Sequence, residues 1–421
     1  MKKKFLAVAA AAALTAALVV AAGCGSSNSA QKEEAPAEGS APAEATSAAV
    51  EATSAEIAVT SALEEANADL AAAAVVDTLI ADIQVQEWTD DTPERCAAAK
   101  AAWDALTDDQ KELVEEADYF GLDTGDASAD DPLNADGIGE NEILVVSFGT
   151  SFNDSRVATI GAIEKAIQAA NPDWAVRRAF TAQIINNHIL ARDGESIDNV
   201  EQALDRAVAN GVKNLVVQPT HLMHGAEYDE LVEALAPYQE QMTIVIAEPL
   251  LGEVGADASV INDDKKAAAE ALVAAAVADG GYDSIEAAKE AGVAFVFMGH
   301  GTSHEANVTY DQMQTVMNEL GYDNVFIGTV EGEPEDTECT VVIGKVADAG
   351  YKTVVLRPMM VVAGDHANND MADPEDEESW YSQFAASGNF DNIITQIKGL
   401  GEIPAIQDMY VAHTAAVLPA Q

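Results

Sequence analysis

The chain has 421 residues, 48% hydrophobic and 22% charged, which suffices for a large core and for two or three domains. Asp and Glu number 72 against 21 Lys and Arg, and the resulting net charge of −51 argues against nucleic-acid binding because phosphates would be repelled. Acidity of this kind identifies no partner by itself, since most such charge is solvated surface.

The N-terminal residues have the pattern of an export signal. Three lysines at 2–4 precede an apolar run over 5–22, and small residues lead from that run to Cys24. Small residues before a Cys resemble a bacterial lipobox, in which the Cys carries a lipid. The run is short for a membrane span, and an ordinary signal peptide is the other alternative. We expect 1–23 to be a lipoprotein signal peptide and Cys24 to anchor the protein outside the cytoplasmic membrane.

Three segments precede the main part of the chain. Residues 24–60 are rich in Ala, Glu, Ser and Pro and lack aromatic residues, which predicts a disordered tether. Residues 61–122 carry apolar residues at helical spacing and predict a small helical module, interpreted as a spacer or adaptor. Residues 123–141 are rich in Gly and Asp and predict a linker. Cys96 and Cys339 lack metal-binding spacing, so we interpret both as buried small hydrophobic residues.

From Glu142 onward, apolar strands alternate with amphipathic helices. This alternation predicts parallel sheets that are covered by helices on both faces. The pattern also repeats, because LVVSFGTS at 144–151 corresponds to FVFMGHGTS at 295–303. We therefore predict an α/β fold of two Rossmann-like lobes, 142–280 and 281–421, which are related by pseudo-two-fold symmetry and enclose a cleft.

Polar side chains cluster where the predicted strands end. Ligands of open parallel sheets bind beyond the carboxyl ends of the strands, so these residues form the candidate site. The first lobe contributes Thr150, Ser151, Arg178, His221, His224 and Glu227, and the second contributes His300, Ser303, His304, Glu331, Asp365 and His366. Apart from Glu227, the residues of the first lobe are candidate substrate contacts. The remaining histidines, His188 and His413, fall in predicted helices.

His300, Glu331 and His366 follow three successive strands of the second lobe. Two imidazoles and a carboxylate suit a first-row divalent ion and leave coordination positions open for a substrate. Glu227 would face this group from the first lobe. The sequence therefore predicts a metal site made of these three side chains at the cleft.

Each individual motif also has a simpler interpretation. His221 and His224 form an HxxH pair, but at a strand end, where a hydrogen-bonded loop pair is more common than a zinc site. His300 and His304 lack the intervening Glu of an HExxH metalloprotease. The acidic turn at 368–379 lacks the glycine and the ligand alternation of an EF-hand. The metal site therefore depends on the joint arrangement of the strand ends.

Several longer motifs together resemble one family. They are ILVVSFGTSFNDSR, RRAFTAQIINNHILARDG, HLMHGAEYDEL, VFMGHGTSHEAN, MMVVAGDHANNDMADPEDEESW and, near the end, GLGEIPAIQDMYVAHTAAVL. On these motifs, residues 142–417 resemble the anaerobic sirohydrochlorin cobaltochelatases of the CbiK type, and the first 140 residues fall outside the resemblance. Many members of that family are cytoplasmic, so the export signal is a departure from the family pattern.

The resemblance implies a class II chelatase fold and insertion of a divalent ion into a tetrapyrrole without ATP. It implies that His300 of the GHG motif and His366 of the AGDH motif act in metal binding and catalysis. It further implies that Glu331 binds the metal and that Glu227, from the G-x-E-Y motif, takes part in catalysis. The implied substrates are sirohydrochlorin and Co²⁺, with Fe²⁺ or Ni²⁺ as alternatives.

Sirohydrochlorin carries many carboxylates, which a chain of charge −51 must attract locally. The candidate groups are Arg177, Arg178, Arg192 and the backbone amides of Thr150 and Ser151. We interpret Arg357 as structural.

An alternative function is that of a surface lipoprotein that captures haem, a corrinoid or a metal ion for uptake. A third possibility is a scaffold that has lost its activity. The sequence leaves the metal, the tetrapyrrole and the oligomeric state open, a homo-oligomer included.

Overall fold

The computed structural model describes residues 44–121 and 124–419. The predicted signal peptide, Cys24 and the first part of the predicted tether lie outside the described residues. The chain divides into two compact units, Met1–Glu65 and Ala66–Gln421, and the second unit contains both predicted lobes.

Helices come before the first lobe, and helices and strands then alternate within both lobes. Before the first lobe come helices α1 (Glu44–Ala81), α2 (Thr92–Asp104), α3 (Asp108–Lys111) and α4 (Asp118–Gly121). The first lobe then contains β1 (Asn141–Ser147), α5 (Asn153–Ala158), α6 (Ile160–Ala170), β2 (Ala175–Phe180), α7 (Gln183–Asp193), α8 (Val200–Asn210), β3 (Asn214–Pro219), α9 (Ala226–Leu235), β4 (Thr243–Ile246) and α10 (Asp263–Asp279). The second lobe contains α11 (Ile285–Glu290), β5 (Val293–Gly299), α12 (Val308–Glu319), β6 (Val325–Thr329), α13 (Cys339–Asp348), β7 (Thr353–Pro358), α14 (Asp365–Asn368), α15 (Trp380–Ala386), β8 (Asn392–Thr395) and α16 (Pro404–Val417).

Helix α1 begins at Glu44, inside the segment that was predicted to be a disordered tether. The prediction of disorder therefore does not hold for 44–60. The physical reason is composition, because the segment from Glu44 to Ala81 is rich in Ala and contains neither Gly nor Pro. Among the helices of the described residues, none combines the length and the apolar content needed to cross a bilayer.

Each lobe has a four-stranded sheet in which every pairing is parallel. The strand order is β2-β1-β3-β4 in the first lobe and β6-β5-β7-β8 in the second. The two orders are the same once the strands are renumbered, which confirms the predicted fold class and explains the repeat. The central strands β1 and β5 are buried almost throughout, as their unbroken apolar runs predict.

The lobes exchange helices, so their boundaries in the fold differ from those predicted from the sequence. Helix α10, which the predicted boundary puts in the first lobe, packs on α12 of the second. The C-terminal helix α16 returns to pack on α6 and β3 of the first lobe, where the Tyr410 hydroxyl donates to the Thr220 carbonyl at 2.8 Å. The repeat in the sequence shows where the second lobe begins along the chain. It does not show that a helix of one lobe packs on the other lobe.

The helical module packs on α7 of the first lobe. Its core includes Val76, Ile80 and Trp103 and continues into α7 at Ala191. Cys96 lies in this core and Cys339 in the core of the second lobe, and both are free thiols, as predicted. The module is therefore built into the same compact unit as the first lobe.

Candidate active site

The rings of His300 and His366 meet at the carboxyl ends of β5 and β7. Their centroids lie 4.8 Å apart and the rings are edge to face, with an angle of 75° between their planes. His300 Nδ1 donates to the Gly301 carbonyl at 2.9 Å, and His366 Nδ1 donates to Asp370 Oδ2 at 2.6 Å. Among the described residues, the hydrogen bonds of both rings use Nδ1, which leaves Nε2 of each ring available to bind an ion or accept a proton.

Glu331 follows β6 and lies beside the His300 loop. Its backbone N–H donates to the His300 carbonyl at 2.9 Å, and its exposed carboxylate acts on the ionisation of His366. Gly301 has a φ of +95°, and a Cβ added to it would lie only 2.9 Å from the Cβ of Glu331. Glycine at 301 therefore allows the two loops to approach. The structure thus brings the loops of His300, Glu331 and His366 to one edge of the sheet, but the ligand atoms of these three side chains do not all lie within 4.8 Å of one another.

A second group of possible ligands shares His366. Ligand atoms of Asp365, His366 and Asp370 all lie within 4.8 Å of one another, the one such trio found in the described part of the chain. Its carboxylates are partly or fully exposed. The hydrogen bond that His366 donates to Asp370 raises the pKa of His366, partial burial opposes this effect, and the charges of Asp370, Asp365 and Glu331 add to it.

Asp370 is a site residue that was not among the predicted ligands. It stands four residues after His366, a spacing that puts two side chains on the same side of one helical turn. That spacing, HANND, was the signal available in the sequence. A carboxylate that accepts from Nδ1 fixes both the tautomer and the orientation of a metal-binding imidazole.

Glu227 lies in the first turn of α9, in the lobe opposite the histidine pair. Its exposed carboxylate acts electrostatically on Tyr310, which belongs to α12 of the second lobe. The buried Tyr310 hydroxyl accepts the Gly301 N–H at 3.0 Å, so it touches the loop that carries His300. Burial raises the pKa of Tyr310 to about 12, and the charge of Glu227 adds to this. The structure therefore places Glu227 within electrostatic reach of the His300 loop.

The residue His221 is partly exposed, but both nitrogens of its ring are buried. Neither ring nitrogen has a hydrogen bond among the described residues, although the carboxylate of Glu227 is near enough to act on it. Burial lowers the pKa of His221 to about 4, against a smaller opposing effect of Glu227. The imidazole is therefore neutral at physiological pH, and it offers a donor and an acceptor that the protein does not use.

His224 is held in a pair of loop contacts. Its Nε2 donates to Glu248 Oε2 at 2.8 Å, and its ring stacks on Tyr228 with centroids 4.2 Å apart. In the second lobe, His304 Nδ1 accepts a hydrogen bond from the Ala306 N–H, so the ring proton lies on Nε2. His304 Nε2 is 3.4 Å from Asp229 Oδ2. This contact connects the two lobes, and Asp229 stands two residues after Glu227 in the sequence.

The loop after β1 carries the buried residues Thr150 and Ser151. A Cβ added to Gly364 would lie 2.8 Å from the Thr150 hydroxyl, so this loop touches the loop that leads to His366. The Ala363 N–H also donates to Ser155 Oγ at 3.0 Å. Contacts from the first lobe therefore support the segment on which His366 lies.

Arg178 requires a correction, because its side chain lies in a buried ion-pair network. Its guanidinium donates to both carboxylate oxygens of Glu164 and to both of Asp130, at distances from 2.6 to 3.0 Å. Only 1% of the side chain is exposed. Four of its five N–H groups are engaged and the side chain is buried, so Arg178 is not accessible to a substrate, and we remove it from the candidate contacts.

The other arginines considered for substrate carboxylates are also paired. Arg177 is buried beside Asp198 at 2.9 Å, and Arg192 binds Asp193 and the Ser151 carbonyl, each at 2.6 Å. Arg357 is buried and pairs with Asp279 at 2.7 Å, as its structural interpretation predicts. The sequence shows which residues are basic, but it does not show which carboxylates already neutralise them.

The arrangement combines metal binding with proton acceptance. With metal–nitrogen distances of about 2.0–2.1 Å, two imidazoles at this separation can share one ion when both Nε2 atoms turn toward it. A neutral imidazole also accepts a proton near neutral pH. Carboxylates on both sides of the pair offset the charge of a divalent ion. The geometry therefore suits a ligand exchange at a metal that is coupled to proton removal.

Comparisons with known proteins agree with the motifs. The model of the cobalt chelatase (CbiK) family matches residues 141–418. A sirohydrochlorin cobaltochelatase of Salmonella typhimurium is 35% identical over 274 residues, which are 64% of this chain and 94% of the relative. The sirohydrochlorin cobaltochelatase CbiKC of Nitratidesulfovibrio vulgaris is 30% identical over 281 residues, 66% of this chain and 90% of the relative. The solved structure of SirB from Bacillus subtilis with Fe³⁺ aligns at 13% identity with a TM-score of 0.44, covering 66% of this chain and 95% of that one.

Proposed function

This chain belongs to the cobalt chelatase (CbiK) family, and we propose that it inserts Co²⁺ into a sirohydrochlorin-type tetrapyrrole without ATP. The observation that carries the proposal is the pair formed by His300 and His366, each with Nδ1 engaged and Nε2 available. The names of the two curated relatives support the same substrate class.

Insertion exchanges two pyrrole N–H protons for one divalent ion, so two protons leave for each ion that enters. The imidazoles of His300 and His366 bind the incoming ion, and Glu331 offsets its charge. As the ion transfers to the macrocycle, an imidazole nitrogen is freed and can accept one of the two pyrrole protons. Glu227, on the opposite lobe, serves as the acceptor on the other side of the ring. The exchange conserves charge, because two protons leave for each divalent ion that enters.

The substrate contacts are proposed at the loop of Thr150 and Ser151 and at the unpaired ring of His221. A ligand that pairs with the two nitrogens of His221 would satisfy a buried group that the protein leaves open. His224, already bound to Glu248, borders the same loop.

The direct test is a turnover assay with purified protein, sirohydrochlorin and Co²⁺, followed by the absorption spectrum of the macrocycle. We expect insertion well above the rate in the same mixture without protein, and parallel assays with Fe²⁺ and Ni²⁺ rank the metals. A protein that changes the spectrum only stoichiometrically, without turnover, would instead be a binding protein. That outcome would favour the alternative of an uptake lipoprotein for haem, a corrinoid or a metal ion.

The location of the protein is proposed from its first residues. Lys2 to Cys24 follow the order of a basic start, an apolar run and a small-residue lipobox, so we propose an exported protein anchored by a lipid on Cys24. Replacing Cys24 with Ala should move the protein from the membrane fraction to the soluble fraction. If the variant stays in the membrane fraction, the lipid anchor is wrong.

A further inference from the structure

Four charged side chains form a buried cluster where the segment before β1 meets the first lobe. They are Asp130, Arg156, Glu164 and Arg178, and each side chain is at most 3% exposed. Asp130 Oδ2 accepts from Arg156 Nε and from Arg178 Nη1, both at 2.6 Å. The cluster contains two acids and two bases, so it is neutral only when Asp130 is present.

Asp130 is ionised in this cluster. Burial opposes its charge, but the hydrogen bonds and charges of Arg178 and Arg156 outweigh burial and lower its pKa. Without the charge of Asp130, two carboxylates would remain near the two buried guanidinium groups. Glu164 would still pair with Arg178, but Arg156 would keep only Glu195, at 3.8 Å. Buried charges without partners are strongly unfavourable, so Arg156 would have to move.

Arg156 connects this cluster to the loop after β1. One edge of its guanidinium, at Nε, is held by Asp130. The other edge donates to the Thr150 carbonyl at 3.0 Å and to Asn153 Oδ1 at 2.5 Å. A planar guanidinium has fixed donor directions, so an anchor on one edge sets the position of the other.

Backbone contacts from the same segment support the loop independently. The Asp154 N–H donates to the Thr124 carbonyl at 2.8 Å, and the Asn153 side-chain amide donates to the Gly125 carbonyl at 3.3 Å. The segment that the sequence predicts to be a linker therefore makes hydrogen bonds to the residues that follow the Thr150–Ser151 loop. From the loop, Thr150 contacts Gly364, two residues before His366.

We propose that Asp130 is a positioning residue of the active site, which holds Arg156 so that its guanidinium fixes the Thr150–Ser151 loop against the tetrapyrrole. Asp130 precedes the region that matches the family, 141–418, so this chain carries a working part of its active site outside that region. As far as substrate is concerned, the inference rests on the proposed function.

The test compares full-length Asp130→Asn with Asp131→Asn, which removes the same charge from the exposed neighbouring residue. For Asp130→Asn we expect the KM for sirohydrochlorin to rise about 10- to 100-fold, because small displacements of a substrate loop have effects of that size. The affinity for Co²⁺ alone should change less than the KM, since the Thr150 loop reaches the metal ligands only through its contact with Gly364, two residues before His366. Asp131→Asn should leave both quantities unchanged.

Hydrogen exchange of the amides at 149–153 gives a readout that does not need activity. Exchange should become faster in Asp130→Asn and stay the same in Asp131→Asn. If Asp130→Asn does not fold, Arg156→Lys serves in its place, because it keeps the charge beside Asp130 and loses the fork that reaches Thr150. It should raise the KM and the exchange rate in the same way.

The outcomes separate the inference from the proposed function. If the wild-type protein is inactive, the proposed function is wrong. The hydrogen-exchange rates at 149–153 would still show whether Asp130 holds the loop. An active wild-type protein whose Asp130→Asn and Arg156→Lys variants keep its KM and exchange rates would overturn the inference.

Discussion

His366 Nδ1 lies 2.6 Å from Asp370 Oδ2, so the imidazole is held by a carboxylate one helical turn further along the chain. This bond raises the pKa of His366. A raised pKa in the folded state means that the pair stabilises the fold fully below the unfolded pKa of about 6.5, and that this stabilisation is lost as the pH rises through the folded pKa. The same bond orients Nε2 for metal binding, which makes Asp370 a testable contributor to the site.

We predict that Asp370→Asn weakens Co²⁺ binding about 10- to 100-fold at pH 7.5, the usual effect of losing a partner of a metal-bound histidine. It should also move the pH at which binding is half lost to a lower value, because the pKa of His366 falls without the carboxylate. Co²⁺ titrations of both proteins across pH 5.5 to 8 measure the two effects. Asp373→Asn, an acidic residue of the same turn, is the control and should bind like wild type.

His300→Ala and His366→Ala should each reduce metal insertion at least ~100-fold, because each removes a ligand and a proton acceptor. His300 is exposed in a loop and His366 is partly exposed in the short helix α14, so thermal unfolding should change little. Turnover with sirohydrochlorin and Co²⁺, beside an unfolding curve, separates the two effects. Wild-type turnover in either variant would show that its histidine is not catalytic.

The strand ends could be predicted from the sequence, and with them most of the candidate site. Parallel strands that are neighbours end at one edge, so the loops of His300, Glu331 and His366 could be expected at the same edge once the sheet was recognised. Asp130 could not be found in that way, because its partners Arg156 and Arg178 are distant in sequence and leave no periodic pattern. The periodic spacing of hydrophobic residues predicts which face of a helix or strand is buried. Ion pairs between distant segments form only when the complete fold brings those segments together.

We predict that His221→Phe stabilises the protein at acidic pH. The folded pKa of His221 is about 4, while an unfolded histidine has a pKa of about 6.5. Between these values the unfolded chain holds a proton that the folded chain does not, so stability falls as the pH falls. The difference amounts to on the order of 3 kcal/mol. Urea unfolding at pH 7.5 and 4.5 measures it, and the gain from the substitution should be larger at pH 4.5.

The same variant tests the proposed substrate contact. If the unpaired nitrogens of His221 serve the tetrapyrrole, His221→Phe should raise the KM for sirohydrochlorin at pH 7.5 while it stabilises the fold. A stabilised variant with an unchanged KM would leave His221 as a buried residue without a role in binding.

Arg178→Met should reduce the free energy of unfolding by about 3–5 kcal/mol, because it leaves Glu164 buried without its counter-charge. The affinity for Co²⁺ should remain, since Arg178 makes no contact with the predicted metal ligands. Lys289→Met, which breaks an exposed ion pair with Asp323, is the matched control and should cost less than ~1 kcal/mol. A small loss for Arg178→Met would contradict the structural role assigned to it.

The pH dependence of Co²⁺ binding decides between the histidine pair and a purely acidic site. Both imidazoles must be neutral to bind an ion, so protons compete at two sites as the pH falls through the histidine range, around 6.5 for an ordinary group. For His366 the competition begins at higher pH, because Asp370 raises its pKa. A site made only of the carboxylates at 370–378 would stay ionised down to about pH 4–5 and would change little. Titration of the tetrapyrrole-free protein at pH 7.5 and 5.5 should therefore show a steep loss of affinity, and His300→Ala should make that loss shallower by removing one competing proton. A flat response in the wild-type protein would place the ion on the acidic turn.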